Sequence, residues 1–401
     1  MKKLRIALHG ASLQGWGGGV DFMRHIANSL ASLIDEKNLE IFLIIPYPYG
    51  FIDYAKFIVK SILKCNFAIP SRTSLNKSLY ENNLKFFDSK IQIIRFQENG
   101  INALLRKINA DILLPIGPTL IKPKFPIPHL GFVYDFQHKY LSNLFSQQEC
   151  EKRDQSFHTI LSSSQAIIVH SRNVQNDIKQ FFPAASCNVV ALPFIAPALP
   201  QEFYAQADSI IKKFTLPNKF FIISNQFWQH KDHLTAFKAL QLLHDHSDIH
   251  IVCTGKTEDY RNPGYFKQLN DSIAQLRISD RIHFLGYLKK EEQIAVMKKS
   301  LALINTTLFE GAPGGGAVSD AFALGLPVIL SDIPVNLEIN QPGIFYFTAQ
   351  SPESLALTMR TLLSNNTITQ QLQKDCIERS NTTSRVFGTR ILEVISYVLE
   401  K

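Results

Sequence analysis

The sequence predicts an α/β protein built from two doubly wound parallel sheets in tandem, and three observations lead there. The chain has 401 residues, more than one hydrophobic core usually organises. Hydrophobic residues make up 45% and charged residues 19%, with a mean hydropathy of −0.01, a composition that fills cores and does not suit a disordered chain. Short runs rich in Ile, Val, Leu and Phe alternate with amphipathic stretches of helical length, the pattern of parallel strands covered by helices.

In the first half the predicted strands are Leu4–His9, Ile41–Ile45, Ile91–Arg95, Ile112–Pro115, Leu130–Tyr134, Ala166–Val169 and Asn188–Ala191. Between the first two lies a helix, Asp21–Leu33, with Phe22, Ile26, Leu30 and Leu33 on one face; another ends over Asp177–Phe182, before Pro183. Three prolines in Leu192–Pro200 mark a linker. A second series follows: strand Phe220–Ser224, helix Asp232–Asp245, strand Ile249–Thr254, helix Phe266–Leu276, strand Ile282–Leu285, helix Glu291–Lys299, strand Leu301–Asn305, helix Val318–Leu324 and strand Pro327–Leu330. Helices over Pro352–Leu363 and Thr383–Glu400 close the chain. The expected domains are residues 1–195, 196–382 and a C-terminal helix, 383–401, returning to the first.

Composition excludes several classes. Glycine and proline, 19 of each, are too few for collagen-like or low-complexity chains. No apolar run reaches the roughly 18 residues of a membrane span. The apolar part of Met1–Gly10 is broken by Arg5 and followed by His9, so a first strand fits better than a signal peptide. Five cysteines, Cys65, Cys150, Cys187, Cys253 and Cys376, form no C-x-x-C pair, which implies neither a zinc site nor a disulfide framework and suggests a reducing cytoplasm. Lys and Arg number 22 against 14 Asp and Glu in residues 1–200, and 20 against 20 beyond. The surplus lies among aromatics, with Tyr54, Phe57, Phe67, Tyr80, Phe86 and Phe87 near Lys56–Lys107. Such a surface suits anionic lipid headgroups or nucleic acid, or is a plain solvated face. No recognisable nucleic-acid module accompanies it.

In doubly wound sheets ligands bind beyond the carboxyl ends of the strands, so the informative loops follow strands. The first, His9–Gly19, is H-G-A-S-L-Q-G-W-G-G-G; its glycines let backbone N–H groups approach a phosphate at a helix N-terminus. It lacks both the G-x-G-x-x-G and the Walker patterns. The second, Ser224–His233, is S-N-Q-F-W-Q-H-K-D-H, where Lys231 offers a point charge and Asn225 and Gln226 offer hydrogen-bonding groups. The third and strongest is F-E-G-A-P-G-G-G-A-V-S-D, Phe309–Asp320. It sets Glu310 before a glycine run and Asp320 on the helix after it, so that bare N–H groups face an anion and the two carboxylates face sugar and ribose hydroxyls.

These loops, with G-Y-L-K-K-E-E over Gly286–Glu292 and A-L-G-L-P-V-I beyond Asp320, resemble glycosyltransferase family 4. The likeness runs over nearly the whole chain and is densest over Phe220–Glu338. It implies the GT-B fold, with two Rossmann-like domains facing a cleft. It also implies a retaining, metal-independent enzyme that moves a sugar from a nucleotide diphosphate donor, UDP- or GDP-linked, with no cofactor. By the same resemblance Glu310 stands near the donor sugar, and Gly314, Gly315, Gly316 and Ala317 cradle sugar and phosphate. Asp320 takes the ribose, at a longer spacing from Glu310 than is usual in the family and with a shorter side chain than the usual glutamate. Gly18 and Gly19 match the N-terminal glycine pair. Where the family carries an Arg and a Lys after the first strand of the second domain, this chain has Gln226 and Lys231, leaving one diphosphate cation unless Arg261 of D-Y-R reaches it. Tyr134–Leu141, Y-D-F-Q-H-K-Y-L, resembles the D-F-Q-H segment of one branch, whose members often build cell-surface polysaccharide. Asp135 and His138 are thereby expected to position the acceptor hydroxyl or the transferred sugar. A saccharide or lipid-linked acceptor, a cytoplasmic location and a peripheral place on the membrane follow as expectations. A nucleotide-sugar 2-epimerase and an inactive binding protein on the same scaffold are the competing readings.

Overall fold

The computed structural model describes residues 3–10, 17–46, 51–63, 84–96, 100–118, 124–197, 199, 203, 209–364, 367–374 and 376–401. Two parallel sheets carry the fold. The first consists of β1 (Leu4–His9), β2 (Leu39–Pro46), β3 (Gln92–Phe96), β4 (Ile112–Ile116), β5 (His129–Phe132), β6 (Ala166–Val169) and β7 (Asn188–Ala191), in the order β3-β2-β1-β4-β5-β6-β7. The second consists of β8 (Phe220–Ser224), β9 (His250–Thr254), β10 (Ile282–Phe284), β11 (Leu303–Asn305), β12 (Val328–Ser331) and β13 (Ile344–Phe347), in the order β10-β9-β8-β11-β12-β13. Each order reverses once, beside β1 and beside β8. Those reversals are the switch points at which doubly wound sheets open a crevice for ligands.

The central strands read as apolar runs because both faces are covered. Ile6, Ala7 and Leu8 of β1 and Phe221, Ile222 and Ile223 of β8 are fully buried, as parallel strands between helix layers must be. The covering helices used below are α1 (Gly17–Ala31), α2 (Gln147–Ser163), α3 (Arg172–Phe181), α4 (His233–Leu242), α5 (Lys290–Lys299), α6 (Gly315–Ala323) and α7 (Cys376–Leu399). This is the two-domain, GT-B-like α/β architecture. Among the described residues no helix is long and apolar enough to cross a membrane.

Several elements differ from expectation. Helix α7 starts at Cys376 and not at Thr383, because Cys376 and Ser380 are themselves buried. Its later turns enter the first core: Phe387, Ile391, Val394, Ile395 and Val398 join the cluster of Ile6, Leu8, Ile26 and Leu43. Thr383 Oγ1 donates to the Ala196 carbonyl at 3.0 Å and accepts from the Ala196 N–H at 3.2 Å, tying the helix to the linker. Phe86 and Phe87, expected on a basic surface, lie in the cores; Phe67 and Tyr80 fall outside the described residues.

Gly388 is where α7 meets α1. A Cβ there would stand 2.5 Å from the Ser29 carbonyl oxygen, so Gly388→Ala must push two helix backbones apart. It is expected to destabilise the protein by roughly 1–3 kcal/mol, the usual cost of overpacking. Thr389→Ala, on the exposed side of the same turn, serves as control. Equal denaturation midpoints for the two variants would refute the close packing.

Candidate active site

The loops after β8 and β11 lie at the switch point of the second sheet and are stitched together. Lys231 sits on a 3₁₀ turn, Gln229–Lys231, whose chain reverses at Asp232 with φ of 49°. The Thr306 hydroxyl donates to the Lys231 carbonyl at 2.7 Å, and the Leu308 N–H donates to that of His230 at 2.8 Å. The lysine is held at the strand end with only 11% of its side chain exposed, and its Nζ pairs with Glu310 Oε1.

Gly314 and Gly315 have φ of +66° and +70°, a left-handed pair that only glycine adopts without strain. They swing the chain into α6. Asn305 Nδ2 donates to the Gly314 carbonyl and Asn336 Oδ1 accepts from the Gly314 N–H, both at 2.8 Å. Asn336 in turn donates to the Ser331 carbonyl at 2.9 Å, and the Ser331 hydroxyl donates to the Thr307 carbonyl at 2.5 Å. All three side chains are buried. A fully paired buried network of this kind fixes one loop geometry. No side chain caps α6, so its first N–H groups lie at a dipole end that favours an anion.

Two carboxylate oxygens stand beside the entry of α6. A Cβ on Gly315 would lie 3.5 Å from Glu310 Oε1, and one on Gly316 would lie 3.7 Å from Asp21 Oδ2. Asp21 comes from α1 of the other lobe, two residues after Gly19. Gly18 and Gly19 form the first turn of that helix, while the preceding residues 11–16 are outside the described ones. Lys290, the first residue of α5, places Nζ 3.0 Å from Asp21 Oδ2 and also pairs with Asp320. Arg24 completes the cluster, 3.1 Å from Asp21 and 3.8 Å from Asp320. Burial raises the Asp21 carboxyl, but Lys290, Arg24 and His25 together outweigh it and hold it at about 2. For Asp320 burial prevails, reinforced by Asp21 and opposed by Lys290 and Arg24, and the carboxyl is pushed up.

Of the residues singled out in the sequence, Lys231, Glu310, Gly314, Gly315, Gly316 and Asp320 gather around the start of α6. Asn225 and Gln226 line the loop behind Lys231, the Gln226 carbonyl accepting from the Trp228 N–H at 2.8 Å. Ala317 packs against the core beneath α6. Asp135 comes from the first lobe to the same place: a Cβ on Gly311 would touch the Tyr134 carbonyl at 2.1 Å and Asp135 Cβ at 2.7 Å. Burial raises the Asp135 carboxyl, and the neighbouring Glu310 charge adds to this.

His138 lies elsewhere. It is 2% exposed, its Nε2 is 2.9 Å from Asp154 Oδ1 on α2, and its ring sits among Phe136, Phe145 and Phe157. Burial keeps its pKa below the usual value. It supports the loop from beneath. Arg261 crosses the cleft to the D-F-Q-H segment, with Nη1 3.0 Å from Gln137 Oε1 and the guanidinium 4.8 Å above the Trp228 ring. Glu338, not singled out in the sequence, accepts from the Arg172 and Asn173 N–H groups at 2.8 and 2.7 Å, capping α3 from the opposite lobe.

Comparison with known proteins agrees with this fold. Residues 206–383 match the family model described as glycosyl transferases group 1. Over 135 residues, 34% of this chain and 36% of the relative, the sequence is 28% identical to the O-antigen chain mannosyltransferase RfbU of Salmonella typhimurium; the chain thus spans about a third of that relative's length. Sucrose-phosphate synthase of Thermosynechococcus elongatus superposes with a TM-score of 0.66 at 14% identity, covering 99% of this chain and 100% of that one. Anabaena HepE, solved in complex with UDP and glucose, superposes at 0.63 with 13% identity, covering 98% and 99%. Residues 206–383, the half that carries Lys231, Glu310 and the glycine run, therefore form a glycosyl transferases group 1 domain within a GT-B-like fold.

Proposed function

We propose that the protein is a retaining glycosyltransferase of the family 4 type. In this reading it moves a hexosyl group from a UDP- or GDP-linked donor to a saccharide or lipid-linked acceptor in the synthesis of cell-surface polysaccharide. The observation that carries the reading is the Lys231–Glu310 pair at the uncapped, glycine-built start of α6. The O-antigen mannosyltransferase relative supports the pathway class, and the D-F-Q-H segment meeting Gly311 supports the branch. The basic surplus of residues 1–200 supports an acceptor at an anionic membrane surface.

Breaking the bond between sugar and diphosphate places negative charge on the leaving phosphate and positive charge on the sugar. The α6 N–H groups, already in place, and the Lys231 ammonium, once it has turned from Glu310 to the phosphate, stabilise the first at a largely buried position, where such groups act most strongly. Glu310, freed from Lys231 as the lysine turns to the phosphate, accepts hydrogen bonds from the donor sugar. Asp135 approaches from the acceptor lobe and orients the incoming hydroxyl or the sugar. The departing phosphate takes the acceptor proton on the same face, so no pair of carboxylates of the glycosidase kind is required.

A thermal-shift panel of UDP-, GDP- and ADP-linked sugars tests the donor, since a ligand that binds only the folded state raises the melting temperature by mass action. The stabilising donor, supplied with oligosaccharide and polyprenyl-linked acceptors, is expected to yield a glycoside of unchanged anomeric configuration. Conversion of the donor sugar without any acceptor would instead indicate the epimerase. Binding with no turnover would indicate a binding protein, and a panel with no stabilising member would defeat the reading.

A further inference from the structure

Lys231 is the one cation that the loop after β8 brings to the diphosphate, because position 226 holds a neutral glutamine. The entry of α6 nevertheless carries two lysines. The carboxylate oxygen beside Gly315 belongs to Glu310 and holds Lys231; the one beside Gly316 belongs to Asp21 and holds Lys290. Each lysine is thus parked on a carboxylate at one of the first two residues of a helix that no side chain caps. The two arrangements stand at successive residues of the dipole end.

Within the second arrangement only Lys290 is placed to leave. Its side chain is 15% exposed, against 2% for Arg24 and 1% for Asp320. Asp21 and Asp320 keep Arg24 between them when Lys290 turns away, so its departure leaves neither carboxylate without a cation. Its departure also frees Asp320 Oδ2, the oxygen it pairs with, for a hydroxyl donor, while the buried Oδ1 stays beside Arg24 at 3.8 Å. The ammonium lies on the Asp320 side of the entry, the ribose end of a bound donor.

Resting on the donor-site reading above, we propose that Lys290 is the second phosphate-binding cation of this site, in the place that Gln226 leaves uncharged. Lys290 holds the phosphate next to the ribose, and Lys231 holds the phosphate that bears the sugar. An incoming donor exchanges two carboxylates for its own phosphates as the partners of these lysines, and its ribose takes up Asp320.

The assignment predicts a difference between two variants. Wild type, Lys290→Met, Lys290→Arg and Lys231→Met are titrated calorimetrically with UDP, UMP, GDP and GMP. For the base that binds, Lys290→Met weakens monophosphate and diphosphate alike by roughly tenfold to a hundredfold, as loss of one charge-assisted contact should. Lys231→Met weakens the diphosphate and spares the monophosphate, and Lys290→Arg binds within a few-fold of wild type. Lys290→Met also flattens the dependence of log Kd on log salt, which mere loss of packing would leave unchanged. Asp21→Asn/Lys290→Met keeps the cluster neutral and shows the same losses if the single variant folds poorly. Wild type binding with Lys290→Met unimpaired, or weakened with an unaltered salt slope, overturns the role of Lys290 alone. Wild type binding none of the four nucleotides overturns the donor site and this role with it.

Discussion

Lys231→Met is expected to lower kcat for sugar transfer by roughly 10²–10³-fold, the usual loss when one preorganised group facing transition-state charge is removed. The charge on the leaving phosphate is largest as the glycosidic bond breaks, so an ammonium aimed there acts mainly in the transition state and its removal appears in kcat more than in KM. Methionine keeps most of the side-chain volume. The Glu310 carboxylate left behind is 16% exposed and can take water, so the fold survives. Glu310→Gln separates the two partners: it leaves the cation in place and is expected to act on recognition of the donor sugar. Turnover of Lys231→Met within a few-fold of wild type, with an unchanged melting temperature, would remove the lysine from the chemistry.

The second large effect is loss of stability in mild acid. Four buried histidines are held neutral, chiefly by burial: His9 at about 4, His25 at about 3, His230 at about 2 and His233 at about 3. Nearby cations add to this, Arg24 beside His25 and Lys231 beside His230 and His233. Both ring nitrogens of His233 lack partners, and its ring stacks on Phe227 at 4.3 Å. The unfolded imidazoles titrate near 6.5 and the folded ones lower, so the unfolded chain binds more protons below that pH. Stability is therefore fully present above about pH 6.5 and falls as the pH drops toward the folded values. Each histidine removes roughly 1.4 kcal/mol per pH unit in that window, so the melting temperature is expected to fall on the order of 10 °C or more between pH 7 and pH 5. Two of the four lie in each lobe, so both lobes should weaken together. His233→Phe, which preserves the stacking, should flatten the dependence. A melting temperature that stays level from pH 7 to pH 5 would contradict the account.

The fold was legible wherever local pattern and burial coincide. Strands β1, β8 and β9 are apolar runs because both faces are covered, and the linker announced itself by proline. Strand β13 escaped notice because Ile344, Phe345 and Tyr346 are only half-buried at a sheet edge. Helix α2 escaped because its buried residues, Phe157, Ile160 and Leu161, are confined to its last turns; the Ser146–Glu149 capping box at its start was the available signal.

At the site, glycines and charges that follow strands could be read directly. Lys290 could not, since it acquires meaning only when Asp21 of the other lobe arrives beside it. Nor could the separation of Asp135 from His138. Three residues apart in sequence, Asp135 lies just before a short helix, Gln137–Tyr140, and His138 lies within it, the one beside Gly311 and the other turned to Asp154.

The covalent chain passes between the lobes through the linker and again through α7, and the two passages are hydrogen-bonded to each other at Ala196 and Thr383. Both crossings are thus pinned together at one point, like the spine of a book. A change in the angle between the halves therefore has to bend the chain at this shared point, and it alters how closely Asp21 approaches Gly316.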